Sequence, residues 1–294
     1  MTAFTTKANP LSGPRPLQIQ KSLGRRHLLW ALSALIILVL FLIGVRLLTP
    51  YSPEEICPEG TLAGISLSHP LGTDHLARDI LTRIAYGAFP SFALAALSIV
   101  FAIILGFTLG ALSAYGLGPL SWLSLRLIDL LFAFPSILSA MLFAAILGSG
   151  FRSCLIALSL AFAPSFARVI RSSILQHRQE NFILRLELAG AKPIYLLVSQ
   201  FLPLIFRDLL TAIGIGLANA ILAESTLSYL GIGLPQRLPS WGRMLKDAQS
   251  SLYYAPQLLL APAAFLIYSV LVLFALSDAL ATIQAERQRQ RQDS

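Results

Sequence analysis

Two long stretches without a charged side chain constrain this chain more than any other feature. No Asp, Glu, Lys or Arg occurs in residues 28–45, and none occurs between Arg83 and Arg126. Because a helix needs about 20 apolar residues to cross the hydrocarbon of a bilayer, the first stretch fits one crossing and the second is too long for one. Only 12% of the 294 residues are charged, whereas a soluble domain usually carries about 25%. The pattern predicts an all-α integral membrane protein.

Prolines, glycines and charges divide the apolar sequence into about six predicted spans. Their limits are about 28–48, 91–115, the stretch between Asp129 and Arg152, 153–170, 209–229 and 256–277. Pro90 is expected to precede the second span. The first run follows basic residues, as in a signal peptide, but it exceeds the usual apolar core of about 7–15 residues. It is therefore expected to remain as a transmembrane helix.

The basic residues predict the orientation of the spans, because Lys and Arg favour the cytoplasmic side. With both termini in the cytoplasm, 15 of the 22 basic residues fall on that side. The other 7 are Arg46, Arg78, Arg83, Arg152, Arg237, Arg243 and Lys246. Residues that flank apolar spans thus explain the formal net charge of +8. No aromatic interleaving or known nucleic-acid-binding motif accompanies them, so no nucleic-acid partner is expected.

The polar stretch of residues 171–203 is predicted to leave the bilayer as two short helices. Polar and apolar residues recur at its start with spacings of three and four, as on two faces of one helix. The polar face is Arg178, Asn181 and Arg185, and the apolar face is Phe182, Leu186 and Ala189 with Ile183 beside it. Gly190 is expected to end this helix in a turn with little room for a side chain. Such a helix could lie on the membrane or dock into a soluble partner; an ordinary loop is the alternative.

Glu224 is expected inside the fifth span, near its outer end. A charge at the bilayer centre costs about 2.5–3.5 kcal/mol on insertion scales, so such a residue needs a reason to be there. One interpretation places Glu224 at a subunit interface or along a translocation pathway. The other makes it an interfacial group that is hydrogen-bonded to Ser225 or Thr226.

The sequence shows no recognisable motif for catalysis, metal binding or nucleotide binding. Cys57 and Cys154 make no metal-ligand pattern, and they are interpreted as two unrelated cysteines, with a single bridge as the alternative. His69, Asp74 and His75 are interpreted as solvated or structural residues rather than a metal site. The phosphate-binding pattern Gly-x-x-x-x-Gly-Lys-Ser/Thr does not occur, so no cofactor is expected on this chain. The chain is not expected to be an enzyme.

Four ordered segments, within about residues 69–280, resemble one family of transport proteins. They are residues 69–74 with 78–83 and 86–87; 126–129 leading to Phe134-Pro135; Gly190 followed by Leu202-Pro203; and 224–233 with 240–242 and 244–245. Together they resemble C-type permease subunits of bacterial ATP-binding-cassette (ABC) transporters, in the dipeptide, oligopeptide, nickel and Sap peptide systems. The third segment is similar to the EAA loop of these permeases, with Leu184-Arg185-Leu186 where the family has Glu-Ala-Ala.

The resemblance implies a MetI-like permease fold with a cytoplasmic coupling helix. It divides the chain into a cytoplasmic tail (1–27), a first transmembrane helix (28–49), an extracytoplasmic segment (50–87), a permease domain (88–280) with a coupling loop at about 175–203, and a second cytoplasmic tail (281–294). The residues expected to meet the ATPase are Phe182, Ile183, Arg185, Leu186, Glu187, Ala189, Gly190 and Ala191. Those expected to form an outer docking surface are Arg237, Trp241, Arg243 and Lys246.

The resemblance also implies the partners and the cargo. The chain would form half of a pathway across the bacterial plasma membrane, in contact with membrane lipid and paired with a homologous B-type permease. Two ABC ATPases would bind ATP and Mg²⁺, and a substrate-binding protein would deliver a peptide, nickel or a metal chelate. A Sap-type permease for cationic peptides or polyamines is one alternative. An ion-coupled secondary transporter is another, and it would need internal repeats and paired ionisable residues within the membrane.

Overall fold

The computed structural model describes residues 17–115, 118–235 and 237–292, with side chains from residue 25 to residue 286 except at 207. Within these ranges the regular structure is helical. The helices are α1 (Leu17–Leu48), α2 (Ile80–Tyr115), α3 (Pro119–Phe132), α4 (Ser136–Leu147), α5 (Phe151–His177), α6 (Asn181–Leu188), α7 (Pro193–Tyr195), α8 (Leu202–Leu230), α9 (Trp241–Ala248) and α10 (Gln257–Gln292). A π-helical turn, Leu196–Phe201, joins α7 to α8. Helices α1, α2, α5, α8 and α10 are each long and apolar enough to cross a membrane.

The second span begins eleven residues earlier than the sequence predicts, at Ile80 rather than residue 91. The reason is a cap: the carboxylate of Asp79 accepts the backbone N–H of Thr82 at 2.7 Å, which satisfies a free donor of the first turn. Pro90 lies inside the helix instead of before it. Prolines are tolerated in membrane helices where neighbouring groups compensate for the lost backbone hydrogen bond. The predicted extracytoplasmic segment 50–87 therefore ends within the first turns of α2.

The predicted third span is not one helix. Helices α3 and α4 meet at an angle of 95° around Pro135, because proline disfavours a helical conformation in the residue before it. Counting this bent pair as one span gives six, and counting only the straight helices gives five. Asp129, taken as a span boundary, lies inside α3, with its carboxylate 3.7 Å from the guanidinium of Arg168.

The other boundaries differ because helices continue past the membrane-length apolar runs. Helix α5 continues to His177, so the predicted loop at 171–203 starts later. Helix α8 begins at Leu202, within that loop. Helix α10 extends beyond residue 277 to Gln292, so the predicted tail at 281–294 begins as its continuation.

The most extensive contact between two of the described helices joins α2 to α5, and Gly106 and Gly110 lie in it. A side chain at Gly106 would place its Cβ 2.7 Å from the Cβ of Phe166, and one at Gly110 would lie 2.7 Å from the carbonyl oxygen of Ala167. The two glycines form a Gly-x-x-x-Gly pair, which lets membrane helices approach closely. Their close contact with α5 makes α2, about 54 Å long at 1.5 Å per residue, a rigid connection between the two ends of the bundle.

Each end of the bundle carries one region outside the long helices. Residues 49–79 and 231–256 form the cap, beside the start of α2. Residues 178–201 form the α6 segment, beside the end of α2. Helix α1 packs along α10 and α2 at the edge of the bundle.

Candidate functional site

Helix α6 is a short helix closed by glycine, as the sequence predicts. The N–H of Gly190 donates to the carbonyl oxygen of Glu187 at 3.0 Å, and the N–H of Ala191 donates to that of Leu186 at 3.0 Å. This pair of bonds is the Schellman motif, which requires a left-handed residue after the helix. Gly190 has φ of +81°. The expected lack of room is wrong, because a Cβ at Gly190 would meet nothing within 4 Å; the backbone conformation, and not crowding, requires glycine.

The face of α6 that meets the bundle differs from the predicted apolar stripe. Ile183 is fully buried, and Leu186 packs against the core. Phe182 is 42% exposed and Ala189 is also exposed, so the stripe of Phe182, Leu186 and Ala189 is wrong in direction. Residues 183 and 186 are three apart and therefore lie on one side of the helix. Phe201, in the turn that precedes α8, is also fully buried and belongs to the same hydrophobic core.

The α6 segment exposes several large apolar side chains. We call them together the α6 patch; they are Phe182, Leu184, Leu188, Ile194, Tyr195 and Val198, which are 42–89% exposed. Leu184 and Leu188 lie one turn apart, as do Ile194 and Val198. Arg185 is also exposed. Exposed apolar side chains concentrated in a short segment outside the long helices are typical of a protein-binding site.

A polar cluster fastens α6 to two long helices. The carboxylate of Glu187 accepts hydrogen bonds from the hydroxyl of Tyr115, at the end of α2, and from Nε of Arg178, at 3.1 Å and just after α5. The Arg178 guanidinium lies 4.5 Å from the centroid of the Tyr115 ring. We call these three residues the Glu187 cluster. Tyr115 is 72 residues away in sequence, so no local pattern reveals this pairing. Any displacement of α6 acts on α2 and α5 through it.

Glu224 lies inside the folded chain. Its side chain is fully buried, and its carboxylate accepts hydrogen bonds from Ser228 at 2.7 Å and from Ser225 at 3.4 Å. Of the two predicted partners, Ser225 is confirmed. Thr226 bonds instead to the carbonyl of Leu222. Position 228 shows no sequence motif for this role, but it lies one helical turn after Glu224, which is the spacing that brings two side chains together.

The cap buries one residue that the sequence places on an outer docking surface. Trp241 is fully buried, and its indole N–H donates to the carbonyl of Ile84 at 3.0 Å; its prediction as an exposed docking residue is wrong. Arg243 is half-buried, with its guanidinium 3.2 Å from the carbonyl oxygen of Leu234. Arg237 and Lys246 are exposed. Both side chains thus donate to backbone carbonyls of this chain, and this explains why Trp241 and Arg243 face the chain.

His69 links the 49–79 segment to the start of α2. Its buried ring lies 2.9 Å from the Asp79 carboxylate through Nδ1 and 3.1 Å from that of Glu59 through Nε2. Tyr51 covers the ring at a centroid distance of 4.9 Å. Burial lowers the pKa of His69, but the hydrogen bonds to Asp79 and Glu59 raise it by more, so the net shift is upward. The pKa of Glu59 is held below its usual range by a backbone hydrogen bond and by His69.

Asp74, another residue considered for a metal site, binds two arginines instead. The Asp74 carboxylate lies 2.7 Å from Nη2 of Arg78 and 3.5 Å from Nε of Arg83. Burial raises the pKa of Asp74, and hydrogen bonds from Arg78 outweigh it, so the pKa lies below its usual range. Cys57 and Cys154 are both buried and both free, so the alternative of a single bridge is wrong.

Comparison with known proteins identifies the family. The family described as binding-protein-dependent transport system inner membrane component matches residues 102–290. The chain belongs to this family. It is similar to the dipeptide transport system permease protein DppC of Alkalihalophilus pseudofirmus, with 35% identity over 85% of this chain and 83% of that protein. It is also similar to the glutathione transport system permease protein GsiD of Escherichia coli O1:K1, with 33% identity over 87% and 86% of the two chains. GsiD of Pectobacterium atrosepticum is 33% identical over the same shares.

Membership of this family tests several of the predictions made from the sequence. This permease is an ABC transporter component with several membrane-spanning helices, and not an enzyme. The predicted resemblance to dipeptide-type permeases is confirmed. The ion-coupled secondary transporter and the Sap-type alternative are not favoured, because the relatives are dipeptide and glutathione permeases of binding-protein-dependent systems.

Proposed function

We propose that this permease forms half of a peptide pathway and that the α6 patch is the docking site for its ATPase subunit. The observation that carries the proposal is the α6 segment: a short helix with an apolar outer side and a polar cluster that ties it to α2 and α5. A partner that moves α6 would displace both long helices, because α2 and α5 pack backbone to backbone at Gly106 and Gly110. ATP and Mg²⁺ belong to the partner, and ATP-driven closure would change access along the pathway.

The cargo is proposed from the relatives. Dipeptides and glutathione, which name the related permeases, are both short peptides, so a short peptide is the proposed class. A nickel or metal-chelate cargo has less support from these relatives. Uptake of labelled dipeptides and glutathione, measured with and without this chain, tests the class. Loss of nickel uptake with unchanged peptide uptake would overturn it.

The proposed orientation places α6 and both termini in the cytoplasm and the cap outside. The bias of basic residues supports it. In this orientation a B-type permease completes the pathway, and a peptide-binding protein meets the cap at Arg237 and Lys246, which are both exposed. Reversal of these two charges should lower ATPase activity stimulated by the binding protein, measured in reconstituted transporter. Arg243 is left out of this test, because its reversal would break a contact within the chain.

A single substitution tests the α6 patch. Leu188 is 89% exposed, so Leu188→Glu costs the folded chain little, whereas a docked partner would bury the new charge. Purification of the tagged variant from its membrane should recover at least ten-fold less ATPase subunit, with an unchanged amount of permease. Leu67→Glu, at a fully exposed leucine of the cap, is the matched control and should recover the normal amount. Equal recovery with Leu188→Glu would refute docking at this patch.

A further inference from the structure

A groove runs between α1 and α2 on the side of the bundle. Its walls come from α1 and α2, and its back from α8 and α10. The lining residues that matter below are Leu35, Val39, Arg46, Ala85, Ala88 and Ala96. The alanines lie on one face of α2, at spacings of three and eleven residues from the first. The groove exists because these small side chains leave the space beside α1 empty.

The groove is apolar, and it opens toward the surroundings of the bundle. Leu38 and Leu42 of α1 are buried against it, whereas Ile43 is 49% exposed and Phe89 is 68% exposed at its rim. Arg46 is the lining residue with a charge. Since α1 and α2 are both membrane-spanning helices, the medium that meets this opening is lipid.

The length of the groove fits the acyl chain of a lipid. From residue 35 to residue 46 the groove follows α1 for about 16 Å at 1.5 Å per residue, which is about half of a hydrocarbon core of roughly 30 Å. The groove therefore matches the acyl region of one leaflet.

Arg46 supplies a charge at the end of the groove near the cap. Its guanidinium lies 4.8 Å from the centroid of the Tyr86 ring, which holds the side chain in place from one side. Its side chain is exposed, and no carboxylate among the residues described by the structure forms an ion pair with it. A guanidinium offers a fork of N–H donors that matches a phosphate. Because no carboxylate neutralises it, this guanidinium attracts a headgroup with a net negative charge more strongly than a zwitterionic one.

We propose that this groove binds an anionic phospholipid, with acyl chain along the alanine face of α2 and headgroup phosphate on Arg46. The proposal rests on the fold alone, so it does not depend on which side of the membrane the cap faces. It would keep α1 at a fixed distance from α2 although few side chains join the two helices there.

Photolabelling tests the site in the complete transporter, purified from its own membrane and placed in phosphatidylcholine nanodiscs. The probe is a trace of phosphatidylglycerol with a diazirine midway along one acyl chain. Peptides of residues 35–43 and 88–96 should be labelled at least five-fold more than by a phosphatidylcholine probe with the same chain. Arg46→Gln should remove this difference, and Ala96→Leu should reduce labelling by filling the groove. Arg152→Gln, at an exposed arginine off the groove, should leave labelling unchanged.

Three results would overturn the proposal. Equal labelling by the two probes would show ordinary boundary lipid. Unchanged preference in Arg46→Gln would remove the headgroup contact. A disulfide between Val39→Cys and a cysteine placed in the second permease subunit would show that protein covers the groove.

Discussion

The cap and the α6 segment are attached to the same bundle in different ways. In the cap, buried polar groups meet each other or the backbone of the long helices, as in the His69–Asp79 pair and the bond from Trp241 to the carbonyl of Ile84. The α6 segment is held by the buried apolar side chains of Ile183, Leu196 and Phe201 and by the Glu187 cluster. Both regions expose some apolar residues, so the difference lies in the kind of contact beneath them: interlocked polar groups in the cap, and mainly apolar burial in the α6 segment.

This difference indicates which end of the molecule keeps its structure without a partner. A region locked by buried hydrogen bonds and close backbone contacts keeps one conformation without a partner. A short helix with few anchors gains stability when a second protein covers its apolar side. We therefore expect substitutions in the cap to lower the stability of the folded chain. Substitutions in the α6 segment are expected to lower transport or ATPase activity, which depend on a partner.

The largest expected effect comes from filling a backbone contact in the cap. A Cβ at Gly242 would lie 2.0 Å from the carbonyl oxygen of Ser225, and the backbone of α8 cannot yield as a flexible side chain can. Gly242→Ala should destabilise the chain by about 3 kcal/mol, the upper part of the range for overpacking. The thermal midpoint in detergent measures it. Gly64→Ala is the control, since nothing lies within 4 Å of its Cβ. Equal midpoints for the two variants would contradict a locked cap.

Replacement of Gly190 should lower transport more than it lowers the amount of folded protein. A left-handed backbone costs a residue with a side chain about 1–2 kcal/mol, which corresponds to roughly a 5–30-fold loss of the native turn. Gly190→Leu should lower peptide transport by about ten-fold, with a normal amount of protein in the membrane. Gly190→Asn should retain more transport, because Asn is enriched in left-handed conformations. The same loss in both variants would mean that side-chain bulk, and not backbone strain, matters at this turn.

The spans and the α6 helix could be predicted because their signals are local: charge-free runs, a three-and-four repeat and a glycine. The sequence could not show that Asp79 caps α2 or that Pro135 bends one span by 95°. An Asp does not always begin a helix, and a proline can precede, bend or end one. Burial of Trp241 and Glu224 depends on residues far along the chain, such as Ile84 for Trp241. One partner of Glu187, Tyr115, is distant in the same way. Long-range contacts therefore account for the error at Trp241 and for the missed pairing of Glu187 with Tyr115.

The Glu187 cluster should produce a smaller effect, limited to coupling. Its ion pair is partly exposed, so its contribution to stability is small. Tyr115→Phe and Glu187→Gln should each lower peptide-stimulated ATPase activity two- to three-fold in the reconstituted transporter. The double variant should be little worse than either, because both substitutions break one linked contact. Glu180→Gln is the control, since Glu180 contacts His177 of the neighbouring α5 end rather than α2. Fully additive losses would contradict a single cluster.

The smallest effect should be a pH dependence of the cap. The pKa of His69 is raised in the folded chain, so its contribution is complete below the unfolded value of about 6.5 and is lost as pH rises through the folded value. Glu59 has a lowered pKa, so its contribution is present above its unfolded value and is lost in acid. The thermal midpoint should therefore fall from mildly acidic to alkaline pH. In His69→Gln this slope should be smaller, because glutamine does not titrate, whereas Tyr51 and Cys57, whose pKa values are also raised, still contribute at alkaline pH. An unchanged slope in that variant would assign the titration to another group and leave the contacts of Trp241 as the main lock of the cap.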